Sequence, residues 1–324
     1  MNLRRACIAA IIGVLSCLPG IATAAPKTQM VAVAPGVELE VLDWGGAGPP
    51  LVFLAGFGGT AHTFEGFAER FTDGHHVYAI TRRGFGLSSH PEPTDENFTV
   101  ARLAADVLAV DAKLGLVRPV LVGHSVAGQE LSEIGTRHPD EVGGLIYLDA
   151  SNSQALYGPS SDVLYPIAGE VRDDLARLVA SQPSEARRII AKLRAELPRL
   201  QRGLAWYEAA IEGAPDNPEP RPPAEVKAVQ DALVRGARLH HGLQVPILAI
   251  VADPPACEPN CASAASRAYA AENAAQATDF AHANPSATVV RLPYADHFIW
   301  ESNPEDVARA MQAFLAKLAA ADPR

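Results

Sequence analysis

The segment Gly123-His124-Ser125-Val126-Ala127-Gly128 follows the apolar run Val120-Leu121-Val122 and opens a stretch of helical periodicity. A serine on a sharp strand-to-helix turn presents its hydroxyl at the sheet edge, and its flanking residues must be small because the turn brings backbones close together. Gly123 satisfies that demand, and Ala127 stands where a second glycine is usual. A helix starting behind Ser125 aims N–H groups and its positive dipole end at the reacting oxygen. The chemistry implied is nucleophilic attack on a carbonyl, with Ser125 as nucleophile. A second glycine-rich turn, Ala55-Gly56-Phe57-Gly58-Gly59, ends the run Leu51–Leu54. Oxyanion stabilisation needs backbone amides free of side-chain obstruction, and the amides of Phe57 and Val126 are the candidate pair.

A serine nucleophile needs a base that reaches its hydroxyl from the same sheet edge. Of ten histidines, His297 in Tyr294-Ala295-Asp296-His297-Phe298 is the one placed late in the chain after a core run. The others are expected at the surface, except His124, which packs beneath the turn. The base in turn needs an acid to orient its imidazole. Asp253 follows the run Ile247–Val251 and Asp149 ends the run Leu145–Leu148. Asp253 is preferred and Asp149 is the alternative; Asp296 adjoins His297 too closely for its side chain to fold back. Attack by Ser125, proton transfer through His297 and hydrolysis of the acyl intermediate call for neither a metal nor an organic cofactor.

The elements that must hold these residues are legible in the apolar pattern. Val37, Leu39 and Val41 alternate with Glu38 and Glu40, a half-exposed strand preceded by the turn signal Pro35-Gly36. Leu51–Leu54, Val77–Ile80, Val120–Val122, Leu145–Leu148, Ile247–Val251 and Thr288–Leu292 are short apolar runs of the kind buried on both faces of a parallel sheet. Val100, Leu103, Val107, Val110 and Leu114 recur at helical spacing, and Glu305–Leu318 forms a closing amphipathic helix with Asn303 as N-cap and Pro304 in first position. Alternating strands and helices predict an α/β fold with a mostly parallel central sheet flanked by helices. Residues 151–244 break the alternation with helical stretches around 170–180, 184–197, 199–212 and 224–236, and are read as a helical insertion between a core of residues 25–150 and 245–324.

The N-terminus reads as an export signal. Arg4 and Arg5 precede the apolar run Ala6–Leu18, Pro19-Gly20 break it, and Ala22-Thr23-Ala24 supplies the small-x-small cleavage pattern. A lipoprotein signal through Cys17 is the lesser reading, and the expected location is periplasmic or secreted. Loss of residues 1–24, with two arginines and no acid, takes the net charge from −10 to −12. A surface this acidic disfavours nucleic acid and anionic lipid, and no later segment of the sequence is apolar for long enough to span a membrane. Cys257 and Cys261, the two cysteines left after residue 24, are four apart and read as a small-loop disulfide in an oxidising compartment. Composition, with 48% hydrophobic and 20% charged residues, supports a sizeable core but names no partner beyond a small-molecule substrate and no oligomeric state.

Residues 31–318 resemble the α/β-hydrolase superfamily, in its serine-hydrolase branch with a helical cap. The resemblance rests on Leu54-Ala55-Gly56-Phe57-Gly58-Gly59, Arg83-Gly84-Phe85-Gly86-Leu87-Ser88, Gly123-His124-Ser125-Val126-Ala127-Gly128 and Ala295-Asp296-His297. It implies an α/β-hydrolase fold with the site at the C-terminal sheet edge and residues 151–244 as the cap. Three positions depart from the family pattern: Ala55 replaces a common His, Thr81 replaces a common Asp, and Ala252-Asp253-Pro254-Pro255 is shorter than the usual strand-to-acid spacing. Members that dehalogenate haloalkanes or open epoxides carry Asp at the turn, and Ser125 argues against both reactions. The expected activity is cleavage of a small ester, lactone or amide by an exported serine hydrolase. A lyase or carbon–carbon bond hydrolase on the same triad, or a non-catalytic ligand-binding member of the fold, remain as alternatives.

Overall fold

Parallel strands joined by crossover helices place every strand's C-terminal end on one edge, and the chain follows that logic. The computed structural model describes residues 25–151, 164–211, 224–238, 240 and 242–321. The proposed signal segment therefore lies outside the described residues. Eight strands form one sheet: β1 (Lys27–Ala34), β2 (Val37–Gly45), β3 (Pro50–Leu54), β4 (His76–Ile80), β5 (Val120–His124), β6 (Gly144–Leu148), β7 (Ile247–Ala252) and β8 (Thr288–Leu292). Their order is β1-β2-β4-β3-β5-β6-β7-β8. β1 and β2 pair antiparallel, as do β2 and β4, and every other neighbouring pair is parallel. The mostly parallel sheet expected from the apolar runs is the observed architecture.

The central strands β5, β6 and β7 are buried along their whole length, as their uninterrupted apolar composition requires. β8 is the exception among the apolar runs. It forms the sheet's edge, and four of its five residues are exposed or half-buried. The turn at Pro35-Gly36 joins β1 to β2, with Gly36 at φ 72°. One core layer packs Phe53, Phe64, Phe67 and Phe71 with Trp300 and the closing helix; the other packs Val107, Leu131, Ile134, Tyr147 and Phe280.

The helices are α1 (Asp95–Phe98), α2 (Val100–Leu114), α3 (Ala127–Arg137), α4 (Leu164–Ala180), α5 (Pro183–Ile211), α6 (Ala224–Gly236), α7 (Ala264–Ala283), α8 (Ile299–Ser302) and α9 (Pro304–Ala321). Helices α4 to α6 fall between β6 and β7 in the chain, where the insertion was expected. The two helices anticipated around 184–197 and 199–212 are one: α5 runs through Pro198. α4 packs on α5 and on α6, and α6 packs on α1. The twenty-residue α7 carries no sequence signal of comparable strength, because its alanines do not gather into one apolar stripe. His240, expected at the surface, is 3% exposed. No described helix is long and apolar enough to cross a membrane.

Candidate active site

The turn after β5 is as tight as its composition requires. Ser125 sits at φ 52°, left-handed backbone that non-glycine residues adopt only at a cost of about 1–3 kcal/mol. Its N–H donates to the Leu148 carbonyl (3.3 Å), and its carbonyl accepts from Gly128 N–H (2.9 Å). A Cβ on Gly123 would lie 2.8 Å from Leu131 Cδ1, and one on Gly128 would lie 2.2 Å from the Ala150 carbonyl oxygen. The backbone clash makes Gly128 obligatory, a Cβ at Gly123 would force the buried Leu131 to move, and Ala127 fits fully buried. Helix α3 begins two residues after Ser125, with Val126 as its N-cap at φ −56°, ψ −23°. The first amides of a helix have no partner within it, so the Val126 end of α3 presents donors at the turn.

The turn after β3 lies against this one. A Cβ on Gly56 would come within 2.7 Å of His124 Nδ1 and 3.1 Å of Ser125 Cβ. Gly59 N–H donates to the Gly56 carbonyl (3.2 Å), closing a tight turn around Phe57. The Phe57 ring packs on Phe85 with centroids 5.5 Å apart, and joins a cluster of Phe98, Leu103, Val229, Ala232 and Leu233 that brings α6 over this edge of the sheet.

His297, between β8 and α8, is the base candidate, and the structure pairs it with Asp149. His297 Nδ1 and Asp149 Oδ2 are 2.7 Å apart, with side chains 39% and 5% exposed. Asp149 Oδ1 accepts from Ala252 N–H (2.9 Å), and Asp149 N–H donates to the Ile250 carbonyl (2.8 Å). Asp149 lies at φ 44°, so the chain turns sharply as it leaves β6. Both carboxylate oxygens are thus committed, one to the backbone of β7 and one to the imidazole. Because Oδ2 can only accept, Nδ1 carries the proton and Nε2 is left as the acceptor.

Asp253, the preferred acid from sequence, is elsewhere. Its N–H donates to the Leu292 carbonyl (3.0 Å), and its carboxylate is captured by Arg291 of β8, whose other terminal nitrogen reaches Thr278 Oγ1. Of the two strand-end candidates, the structure brings Asp149 to His297 and leaves the preferred Asp253 on Arg291. β7 pairs with the edge strand, and an arginine of that strand takes the Asp253 carboxylate. Asp296 also stays apart from the imidazole in hydrogen bonding; its N–H donates to Ser302 Oγ (3.1 Å).

His124 packs against His297 from below. It is 2% exposed, and its Nε2 donates to the His297 carbonyl oxygen (3.1 Å). The two rings lie 4.5 Å apart between centroids. Burial, followed by the neighbouring His297, pushes the pKa of His124 down to about 3, so it stays neutral. His124 Nδ1 is buried without a hydrogen-bond partner.

Several residues that shape the site had no role assigned from sequence. Thr81, where the resemblance led one to expect Asp, donates to Glu40 Oε2 (2.6 Å) and accepts from Ala61 N–H (2.9 Å). Glu40, 1% exposed, supplies from β2 the carboxylate that position 81 lacks. The alternation of Val37, Leu39 and Val41 with Glu38 and Glu40 predicts a half-exposed strand, but β2 is buried from Leu39 to Leu42, Glu40 included, because Thr81 and His62 engage its carboxylate. Arg83 is bidentate to Asp106 (2.6 and 2.5 Å) beneath the Gly84–Gly86 turn. Arg82 is bidentate to Glu130 of α3 (2.7 and 2.6 Å). Cys257 and Cys261 are joined by a disulfide with Cα atoms 4.7 Å apart, in the loop after Asp253. No group of three His, Cys, Asp or Glu side chains among the described residues is placed to hold a metal ion.

Comparison with known proteins identifies the family. A model described as the alpha/beta hydrolase family matches residues 51–310. Epoxide hydrolase A of Mycobacterium tuberculosis is 33% identical over 123 residues, 37% of this chain and 38% of that protein. The sn-1-specific diacylglycerol lipase ABHD11 of Xenopus tropicalis is 29% identical over 117 residues, 36% of this chain and 35% of that protein. The chain thus matches little more than a third of the length of these relatives. The solved structure of E-2-(acetamidomethylene)succinate hydrolase superposes with a TM-score of 0.56 at 22% identity, covering 90% of this chain and 99% of that one. At that identity the likeness is one of fold.

Proposed function

Because the chain belongs to the alpha/beta hydrolase family, we propose that it is a serine hydrolase that cleaves a small ester, lactone or amide through Ser125, His297 and Asp149. The observation that carries the reading is the 2.7 Å hydrogen bond from His297 to Asp149, formed at the sheet edge where Ser125 occupies a left-handed turn. In this mechanism His297 Nε2 takes the Ser125 proton as the hydroxyl oxygen attacks the carbonyl carbon. Asp149 stabilises the resulting imidazolium, and the amides of Phe57 and Val126 receive the oxyanion. The tetrahedral intermediate collapses, and the imidazolium gives its proton to the leaving group. Water then repeats the cycle on the acyl-enzyme.

A serine at this position also separates the reaction from the one named for the epoxide hydrolase relative. Ser125 opening an epoxide would form an ether, which water activated by His297 has no carbonyl to attack. Acyl chemistry regenerates the serine. Helices α4 to α6 act in this reading as a cap over the site, which the packing of Phe57 beside Val229 and Leu233 supports. Export is part of the same proposal: a disulfide between Cys257 and Cys261 suits an oxidising compartment.

Labelling with a fluorophosphonate tests the reading. One equivalent of label should attach to Ser125, and Ser125→Ala should take up none while melting near wild type; loss of the nucleophile costs on the order of 10⁶ in kcat in a serine hydrolase. Ester turnover by Ser125→Ala at a tenth of the wild-type rate would overturn the assignment.

A further inference from the structure

A trans peptide directs its C=O and N–H to opposite sides. The direction of the Phe57 N–H is therefore set by whatever binds the Gly56 carbonyl. Two donors do: Gly59 N–H at 3.2 Å and Arg82 Nη1 at 3.4 Å. Arg82 Nη2 also donates to the preceding carbonyl, Ala55 O, at 3.0 Å. One guanidinium thus holds two consecutive carbonyls of the turn on its own side, and the Phe57 N–H points the other way. Gly56 itself lies against the nucleophile, close enough that a Cβ there would be 3.1 Å from Ser125 Cβ.

The guanidinium is fixed from the opposite flank. Arg82 Nε and Nη2 donate to Glu130 Oε1 and Oε2 at 2.7 and 2.6 Å, with side chains 7% and 5% exposed. Glu130 is on α3, five residues after Ser125. The helix that follows the nucleophile turn and the turn that carries Phe57 are therefore joined through one planar, buried cation.

We propose that Arg82 and Glu130 are a positioning pair for the oxyanion site, which orient the Phe57 amide relative to Ser125 and polarise it. This rests on the reading of Ser125 as nucleophile. The polarisation follows from placement: a cation at the carbonyl end of the Gly56–Phe57 peptide draws electron density toward the oxygen and makes the N–H a stronger donor, as in any hydrogen-bonded chain in a low dielectric. The attraction between Arg82 and Glu130 is by itself no adequate reason for burying them, because burying two charges costs about as much as their attraction returns. Lysine could not replace Arg82 in this role, since a point ammonium cannot bridge a carboxylate and two carbonyls in one plane.

The test is the fluorophosphonate reaction, whose phosphonyl oxygen develops charge in the oxyanion site, resolved into a maximal labelling rate kinact and a half-saturation constant KI. Arg82→Met/Glu130→Leu removes both charges together and should melt within a few degrees of wild type. Deleting an oxyanion donor costs about 10²–10³ in rate, and disorienting one of two should lower kinact by about 10–100-fold while KI stays within about threefold. Arg82→Lys keeps a cation against Glu130 should the double variant fail to fold, and its kinact should fall by about tenfold with KI again unchanged. Either variant, folded and with kinact within threefold of wild type, overturns the inference and leaves Ser125 as nucleophile intact. A fall confined to KI also overturns it, since that would reflect a distorted pocket. Wild-type protein that takes up no label at Ser125 overturns the site reading and the inference together.

Discussion

Replacing Asp149 by Asn changes one oxygen to an amide and leaves the shape intact, so its effect is a test of hydrogen-bond direction. Asp149 accepts two bonds, from Ala252 N–H at 2.9 Å and from His297 Nδ1 at 2.7 Å. Asn has a single acceptor oxygen. If that oxygen faces Ala252, the NH2 group faces His297, Nδ1 must accept, and the imidazole proton moves to Nε2, where it blocks the base. If the amide flips, its NH2 meets the Ala252 N–H and leaves a buried donor unpaired, at about 1–3 kcal/mol. The backbone bond therefore holds the amide in the orientation that selects the wrong tautomer. In another serine hydrolase the corresponding change costs about 10⁴ in kcat, near 5.4 kcal/mol, and that magnitude is expected here with KM nearly unchanged. Asp253→Asn is the control. It weakens a partly exposed pair with Arg291, worth about 1 kcal/mol, and should leave kcat within a few-fold of wild type. The assay is kcat and KM for a p-nitrophenyl ester, with melting temperature, on both variants side by side. An active Asp149→Asn beside an inactive, folded Asp253→Asn would refute the argument and restore Asp253 as the acid.

Three further outcomes follow from the packing and charge of the fold. Gly56→Ala should lower fluorophosphonate labelling sharply and cost about 1–3 kcal/mol of stability, because its Cβ would meet His124 Nδ1 at 2.7 Å; labelling at the wild-type rate would show that the two turns are not held in contact. Asp111 is buried on α2 with neither oxygen hydrogen-bonded, and burial, helped by Glu141, pushes its pKa up to about 8. The unfolded chain releases this proton near pH 4 and the folded chain near pH 8, so the ionisation of Asp111 adds no cost below pH 4 and progressively more, at most about 1.4 kcal/mol per pH unit, up to pH 8. Asp111→Leu should accordingly gain in melting temperature over wild type as pH rises from 5 to 8, whereas a gain that stays constant with pH would contradict the account. Reducing the Cys257–Cys261 bond should lower stability by about 2 kcal/mol at most, because the loop it closes is short; unfolding on reduction at 25 °C would show a larger role.

The turn at Ser125 was legible because its constraints are local. A glycine, a serine and an alanine after an apolar run meet a steric demand that holds over a few residues, and the same is true of Gly56 and of the strands β3 to β7. The late histidine could be chosen because a parallel sheet sends each strand's C-terminal end to one edge. That rule also delivered Asp149 and Asp253 as the two candidate acids, and there local pattern stopped being sufficient. Which carboxylate meets His297 depends on what else competes for it across neighbouring strands. Arg291 on β8 takes Asp253, while the amide of Ala252 on β7 holds Asp149 in place for the imidazole. The same holds for charges buried far apart in sequence. Glu40 with Thr81, and Arg82 with Glu130, are 41 and 48 residues apart, and neither pairing leaves a periodicity to read. Sequence by itself determined the turn, the sheet and the base candidate, because steric fit and apolar burial act residue by residue. The tertiary structure alone decided which carboxylate meets His297 and which buried ion pairs form, because a hydrogen bond is made by whichever donor the fold brings within about 3 Å.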